Sequence, residues 1–216
     1  MAEFMKKVIV FFLFMLLCVH CVHVPKAYKP TDVPSDYYYD EDKFVIFKIP
    51  NGDPENIDKY RLWKNENNNN SFIKNYSEIF KSEQDNSKNE NNPETKEKKS
   101  FAIRRPPIIK NQPKPKISLL AAKQGIDKKI IVSVKVSKTG IVEVAELYDI
   151  LLLDEKENNV YKFESLNPWK KRNITNADKE MIYESLVAAL NMELEPALSN
   201  KGPVSVTMQV PFTFIY

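Results

Sequence analysis

The clearest pattern of hydrophobic and polar residues lies near the C-terminus of the chain. Aliphatic side chains occupy every second position from Lys129 to Ser137, and a second alternating run covers 204–214. Because a period of two places successive side chains on opposite faces, each run predicts a strand with one buried face. Pro211 lies in the second run and has no N–H to donate, which favours an edge position for that strand.

The segments between these two runs carry signals for a turn, a hairpin and a helix. Residues 138–140 predict a turn with a glycine at positive φ, followed by a returning strand over 141–148. A second hairpin is expected within 149–174, around a polar turn at 154–159. Thr175 and Asp178 predict a capping box. It opens a helix whose apolar stripe consists of Ile182, Leu186, Ala189 and Leu190.

A short helix over 117–124, ended by Gly125, precedes these elements. The resulting order is helix, strand, turn, strand, helix, strand. It predicts an α+β domain over 117–216, with a small antiparallel sheet that carries two helices on one face. Leu186 and Phe212 are expected in its core, since they lie on the helix stripe and on the inward strand face.

Residues 26–116 have the composition of a low-complexity linker. They are rich in Asn, Lys, Glu and Ser, and prolines cluster at both ends. Such a segment buries too little apolar surface to offset the entropy of ordering, so we expect a disordered linker. Fully extended, it would reach roughly 300 Å. The apolar patch at 44–49 interrupts it and is interpreted either as a strand or docking segment, or as a transient cluster in a disordered chain.

Residues 1–25 form a membrane-directed segment. Lys6 and Lys7 precede an apolar run from Val8 to Val24, which Pro25 ends. The run is at the short limit for a spanning helix. It also has the charged start and apolar core of a signal peptide, but small residues for cleavage are missing after Val24. We therefore expect a retained single-span anchor, with a cleaved signal peptide as the alternative, and either places the remaining chain outside the cytoplasm.

Charge and chemistry narrow the class of function. A formal net charge of +3 gives no reason to expect a nucleic-acid partner. The domain from 117 onward contains neither His nor Cys, so a nucleophilic triad or a thiolate or imidazole metal site is not expected there. Cys18, His20, Cys21 and His23 are interpreted as the tail of the apolar run, with a metal site as the alternative. We therefore expect a protein that is not an enzyme and uses no cofactor and no metal.

The ordered set of these motifs resembles the C-terminal domain of TonB-family energy transducers. The residues that carry the resemblance are Ala121, Gly125-Ile126, the strand Ile130–Val136, the turn Lys138-Thr-Gly140, Val142 and Val144, the helix segment Leu186–Leu190, Met192, Leu194, Pro196-Ala197, Gly202-Pro203-Val204 and the run Val206–Phe214. The succession of one apolar segment, a long linker and this domain is also the layout of that family.

The resemblance implies a partner and a binding mode. TonB-like domains pair their last strand with a short receptor segment, so the resemblance points to strand addition by an outer-membrane receptor peptide. The residues concerned are Val204, Ser205, Val206, Thr207, Met208, Gln209 and Val210. Inner-membrane proton-driven motor proteins and a second copy of the domain are further candidate partners.

Two functions are consistent with this resemblance. The first is an energy transducer in the inner membrane, with its C-terminal domain in the periplasm, that drives nutrient uptake through outer-membrane receptors. The second is a secreted or anchored periplasmic structural or adaptor protein, which uses the same domain for protein interaction without a motor. Retention of the N-terminal segment is required by the first function and not by the second.

Overall fold

The structure is a computed structural model that describes residues 33–80, 102–116, 122–123, 127–157, 160–165 and 174–215. Its helices are α1 (Glu55–Glu66), α2 (Phe72–Ile79) and α3 (Asn176–Leu190). Its strands are β1 (Tyr37–Asp40), β2 (Val45–Lys48), β3 (Ile103–Arg105), β4 (Ile108–Asn111), β5 (Lys128–Val136), β6 (Val142–Glu157), β7 (Val160–Ser165), β8 (Glu193–Glu195), β9 (Ala197–Ser199), β10 (Gly202–Val204) and β11 (Val206–Phe214).

The main sheet confirms the predicted α+β class and the predicted antiparallel pairing. Its strand order is β1–β2–β6–β5–β11, and β7 pairs with the second half of β6. All of these pairs are antiparallel. The hairpin expected within 149–174 is formed by β6 and β7, but its first strand is continuous with the strand expected at 141–148. In the described part of the chain, β1 and β11 are the two edges of the β1–β11 path.

One face of this sheet packs against α3 and forms a mainly aliphatic core. The inward side chains of β5 are fully buried at Ile130, Val132, Val134 and Val136, as the alternation predicted. Leu186 of α3 is 0% exposed and Phe212 of β11 is 2% exposed, which confirms both as core residues. The capping box at the start of α3 is also confirmed, because the Thr175 hydroxyl accepts from the Asp178 amide and the Asp178 carboxylate accepts from the Thr175 amide.

The opposite face of the sheet packs against α1 and α2, which is a correction to two expectations. Val45 and Phe47 of β2 face this side and Ile46 faces α3, so consecutive side chains of β2 enter two different cores. The second core contains a cluster of aromatic rings from Phe47, Tyr60, Phe72 and Tyr76. The described helices therefore cover both faces instead of one, and residues 33–80 of the predicted linker belong to the folded unit.

The apolar patch at 44–49 thus contains a strand, β2, that lies between β1 and β6. Its side chains are apolar on both faces because both faces are covered. Composition over 26–116 did not reveal this, since the surrounding residues are mostly polar.

The proline-rich end of the predicted linker is also attached to the fold. β3 pairs with β9, and β4 pairs with β8, so residues 103–111 extend two small sheets. Beyond β4, the Gln112 side chain donates to the Pro211 carbonyl at 3.1 Å, and the Lys116 amide donates to the Glu184 carboxylate at 3.3 Å. The correction to the linker therefore also applies to residues 102–116.

The turn between β5 and β6 confirms the need for glycine at position 140. Gly140 has a φ of +85°, in the left-handed region that side chains other than glycine rarely adopt. A methyl group at this position would also overlap the backbone carbonyl oxygen of Leu194. The close approach of the turn to β8 leaves no space for a side chain.

Two expectations fall outside the described residues. Of the helix predicted over 117–124, only Ala122 and Lys123 are described, so that helix stays a prediction. The apolar run from Val8 to Val24 is likewise not described. Within the described ranges, no helix has both the length and the apolar character needed to cross a bilayer.

Candidate functional site

The outer edge of β11 presents backbone groups that no described strand pairs with. The Ser137 amide donates to the Ile141 carbonyl on the β6 side of β5 at 2.8 Å. Because the backbone groups of alternate residues in a strand point the same way, those of Val132, Val134 and Val136 point toward β11. Their register partners in β11 are Val210, Met208 and Val206. It follows that the N–H and C=O groups of Thr207 and Gln209 point away from the sheet.

Pro211 fits this geometry and limits the edge. It has the same orientation as Thr207 and Gln209, so its missing N–H removes no bond to β5. Its carbonyl points outward and accepts from the Gln112 side chain. The edge thus offers N–H donors at Thr207 and Gln209. A series of hydrogen bonds to an added strand would end at Pro211, which has no N–H.

The seven residues expected to bind a partner occupy three different environments. Val204 belongs to β10 and pairs with Ala197 of β9, so it lies outside the β11 edge strand. Ser205 lies between β10 and β11, and its hydroxyl donates to the Val136 carbonyl at 2.8 Å. Val206, Met208 and Val210 direct their backbone groups toward β5 and their side chains toward the α3 core.

Thr207 and Gln209 are the remaining two, and they combine two properties. Their backbone groups face the open edge, and their side chains are exposed on the face of the sheet opposite α3. Of the seven expected residues, Thr207 and Gln209 are therefore the two whose backbone groups can bond to an added strand.

A broad groove of about 1110 Å³ lies on that face, next to the β11 edge. One wall is formed by the α1–α2 loop and the first turn of α2, including Asn69, Asn70 and Lys74. The floor comes from β6 and β5, and the far side is formed by Thr207 to Gln209 of β11. The α1–α2 hairpin therefore covers the β2–β6 half of the sheet and leaves an open groove over the β5–β11 half.

Two buried charges hold the loop that forms the groove wall. Glu146 of β6 is 2% exposed. Its carboxylate accepts from the Ser71 hydroxyl at 2.7 Å and from the amides of Phe72 and Ile73 at 2.8 and 3.0 Å. A carboxylate at this place satisfies free N–H groups of the first turn of α2 and interacts favourably with the helix dipole.

Lys43 holds the other end of the same loop. It is 1% exposed, and its ammonium group donates to the carbonyls of Asn67 and Asn70 at 2.8 and 3.3 Å. The ammonium also lies 4.2 Å from the centre of the Trp63 ring. Burial lowers the pKa of Lys43, while Glu146 and Asp40 act in the opposite direction. The asparagine-rich segment is thus a loop fixed by a cation at one end and an anion at the other.

Asp40, the last residue of β1, connects α1 to the β1–β2 hairpin in a similar way. Its carboxylate accepts from the Tyr60 hydroxyl at 2.9 Å and pairs with Lys64 at 2.8 Å. Burial acts to raise the pKa of Asp40, but the hydrogen bonds from Lys64, from the Lys43 amide and from Tyr60 outweigh it, so the pKa lies below its ordinary value. Asp40 is therefore charged in the folded protein at neutral pH and fixes the position of α1.

Tyr148 is a further groove residue that the sequence did not identify. The register between β5 and β6 shifts at this point, with Val132 opposite Leu147 and Ile131 opposite Asp149. Tyr148 is the extra residue of this β-bulge, and it is 53% exposed. Bulges redirect a side chain from its regular position, which explains why a large aromatic ring lines the open groove.

The groove residues were missed because they come from distant parts of the sequence. One local signal was present: Phe72, Ile73, Tyr76, Ile79 and Phe80 have the spacing of an amphipathic helix that follows Ser71. The isolated charges Lys43 and Glu146, each beside an apolar run, were a second signal. Their partners could not be inferred, since Glu146 contacts residues more than seventy positions away along the chain.

The described residues contain no group of three or more His, Cys, Asp or Glu placed to hold a metal ion. The cysteine and histidine residues at 18–23 lie outside the described ranges, so their interpretation stays open. Comparison of the chain with protein-family models, with curated proteins and with solved structures gave no match.

Proposed function

We propose that this protein is a non-enzymatic, TonB-like binding module of the cell envelope, which captures an extended peptide of a partner protein by strand addition on β11. The observation that carries the proposal is the open backbone edge at Thr207 and Gln209. An edge strand offers unpaired N–H and C=O groups to an added strand, and side-chain contacts then set specificity. The resemblance to TonB-family domains supports the same edge and an outer-membrane receptor as the source of the peptide.

The length of the chain before the fold bears on whether this module acts as a transducer. Eight residues, 25–32, separate Val24, the last residue of the apolar run, from the first described residue, Val33. Fully extended, they span at most about 29 Å, which is less than the thickness of a single bilayer with its headgroups, about 40 Å. A retained anchor would leave the module close to the membrane that holds it.

This short connection favours the adaptor function over a transducer that reaches from one membrane to the other. The ninety-residue tether on which long reach depended is no longer available, because β1, β2, α1 and α2 are part of the fold. We therefore propose an anchored or secreted adaptor as the principal function. Force transmission to an outer-membrane receptor, with motor proteins in the inner membrane, is the second candidate, and it needs the two membranes to approach closely.

Site-specific photo-crosslinking in the full chain tests the proposal. A photoreactive residue at Gln209 should crosslink in living cells to one extended segment of an envelope protein, and Thr207→Pro should abolish that product without unfolding the domain. Thr207→Pro is suitable because the Thr207 N–H makes no bond to β5. Crosslinks that persist in Thr207→Pro would contradict strand addition, and crosslinks only to a second copy of the chain would identify the edge as a dimer interface.

The N-terminus decides between the two candidate functions. Mass spectrometry of the native protein measures whether residues 1–24 are present. Their loss would exclude force transmission from the inner membrane and leave the adaptor, whereas their retention is compatible with both.

A further inference from the structure

Exposed aliphatic side chains are concentrated in a few connected elements of the fold. Seven large hydrophobic residues are exposed in the described part of the chain. Four of these seven are isoleucines of β3, β4 and the β5–β6 turn: Ile103, Ile108, Ile109 and Ile141. Single exposed hydrophobic residues need no explanation, but several of them on one surface mark a contact site.

Backbone contacts bring these elements to one end of the main sheet. The β5–β6 turn touches β8, because Gly140 leaves no room between the turn and the Leu194 carbonyl. Ile109 of β4 lies opposite Leu194 in the pairing of β4 with β8. β3 pairs with β9, which follows β8 after a single residue. The surface formed by residues 102–111, 137–141 and 193–204 is called the isoleucine end below.

The isoleucine end is positively charged. Its three segments contain five Lys or Arg and two Glu, which gives a net charge of +3, equal to the formal net charge of the whole chain. Glu195 is paired with Arg105 and Lys110 at 3.1 and 3.0 Å, and Glu193 is exposed. The remaining cations include one on β3 and one in the β5–β6 turn, and both are exposed: Arg104 and Lys138. Exposed aliphatic side chains and excess positive charge thus share one surface.

The described chain also begins at this end of the sheet. The Tyr37 hydroxyl, at the start of β1, donates to the Val142 carbonyl, at the start of β6, at 2.8 Å. Val142 directly follows the 137–141 turn, and Val33 lies four residues before Tyr37. Eight residues that span at most about 29 Å connect Val33 to the apolar run. A bilayer that held this run would therefore be within reach of the isoleucine end.

We propose that the isoleucine end docks on the surface of an anionic lipid bilayer. The isoleucines of β3 and β4 would enter the boundary between headgroups and acyl chains, and Arg104 and Lys138 would contact anionic headgroups. An acidic protein surface would place charges beside the isoleucines, whereas a bilayer offers an anionic layer and an apolar layer together. The proposal goes beyond strand addition at β11, and each can hold without the other.

Quenching of a site-specific probe by labelled lipid tests the docking. The full chain carries a fluorescent amino acid either at Pro106, which is exposed between β3 and β4, or at Ile215, which follows β11 at the opposite end of the sheet. It is reconstituted into vesicles of phosphatidylcholine, with or without phosphatidylglycerol, that contain a lipid with a nitroxide on its headgroup. With phosphatidylglycerol present, we expect strong quenching at position 106 and weak quenching at position 215.

A pair of double variants measures the contribution of charge. Each cation near an anionic surface contributes about a factor of five, so Arg104→Gln with Lys138→Gln should lower the ratio of docked to undocked protein by roughly 25-fold. Lys74→Gln with Lys179→Gln removes the same charge from α2 and α3, outside the isoleucine end, and should leave this ratio unchanged.

A second pair of variants measures the contribution of the aliphatic side chains. Ile108 and Ile215 are 42% and 44% exposed, so the same substitution removes a similar exposed area at the two ends of the sheet. Ile108→Ser should lower the ratio of docked to undocked protein by roughly threefold to tenfold, and Ile215→Ser should leave it unchanged. Urea unfolding midpoints, measured in parallel, show whether each variant keeps its fold.

Three results would overturn the proposal: quenching at position 106 that is no stronger than at position 215, equal quenching without phosphatidylglycerol, or no response to Arg104→Gln with Lys138→Gln. A photoreactive residue at Pro106 in living cells adds an independent readout. Crosslinks to lipid would support the proposal, and crosslinks to an acidic protein instead would overturn it. Gln209→Pro should dock as the parent does, which separates failure of docking from failure of strand addition.

Discussion

The two faces of the main sheet are covered in different ways. The α3 face is mainly aliphatic, and its core continues from β2 across to β11. The α1–α2 face is aromatic, is held by buried charges, and covers only the β2–β6 half. The difference shows how one sheet can be both stable and accessible: one face supplies a continuous core, and the other leaves a groove beside an edge that no described strand pairs with.

The largest expected effects come from removing one ring or side chain on each face. Phe72→Ala on the hairpin side should destabilise the protein by about 3–5 kcal/mol, and Leu186→Ala on the α3 side by about 2–5 kcal/mol. Both residues are 0% exposed. If the two faces belong to one cooperative unit, urea unfolding of both variants should show a single transition at a lower midpoint.

Leu62 provides the control on the hairpin, because it is 67% exposed. Leu62→Ala should change stability by less than about 0.5 kcal/mol. A Phe72→Ala variant that is as stable as the parent would mean that the hairpin contributes nothing to the fold, as expected of a linker.

A smaller effect is expected from the carboxylate that fixes α2. Glu146→Gln preserves the shape of the side chain but replaces one acceptor oxygen by a donor that faces backbone amides. Leaving buried donors unsatisfied costs about 1–3 kcal/mol, so the unfolding free energy should fall by this amount. Glu143→Gln on the same strand is the control, and a loss of equal size in both variants would argue against the proposed role of Glu146.

The smallest effect concerns pH. Because the pKa of Asp40 is lower in the folded than in the unfolded protein, the unfolded state binds more protons as the solution becomes acidic. The stability contributed by Asp40 is therefore present above the unfolded pKa and is lost as the pH falls through the folded pKa. The stability difference between the parent and Asp40→Asn should be constant above about pH 5 and shrink as the pH falls below it. A difference that stays constant below this pH would contradict the assigned charge.

The contrast between the faces also explains what could be predicted. The α3 face was predictable because β5 and β11 each alternate over nine residues and because Thr175 and Asp178 mark the start of α3. The edge position of β11 followed from Pro211 alone. Each of these signals is local, so no knowledge of distant contacts was needed.

The hairpin face was not predicted because its signals are short and lie within polar sequence. β2 has only four residues, and the stripe that starts at Phe72 follows a run of four asparagines. The burial of Lys43 and Glu146 depends on contacts with residues at least twenty and seventy-three positions away. Composition over a long window averaged these signals away, and the groove could be seen only when both walls were placed together.

The central claim is that β11 keeps one edge open for a partner, and amide hydrogen exchange tests it most directly. Measured residue by residue by NMR on the full chain without a partner, the amides of Met208 and Val210 should exchange slowly, because they are bonded to β5. The amides of Thr207 and Gln209 should exchange much faster and become protected only when a peptide is added. Equal, strong protection of all four amides in the free protein would show that the edge is already covered, and it would contradict the account.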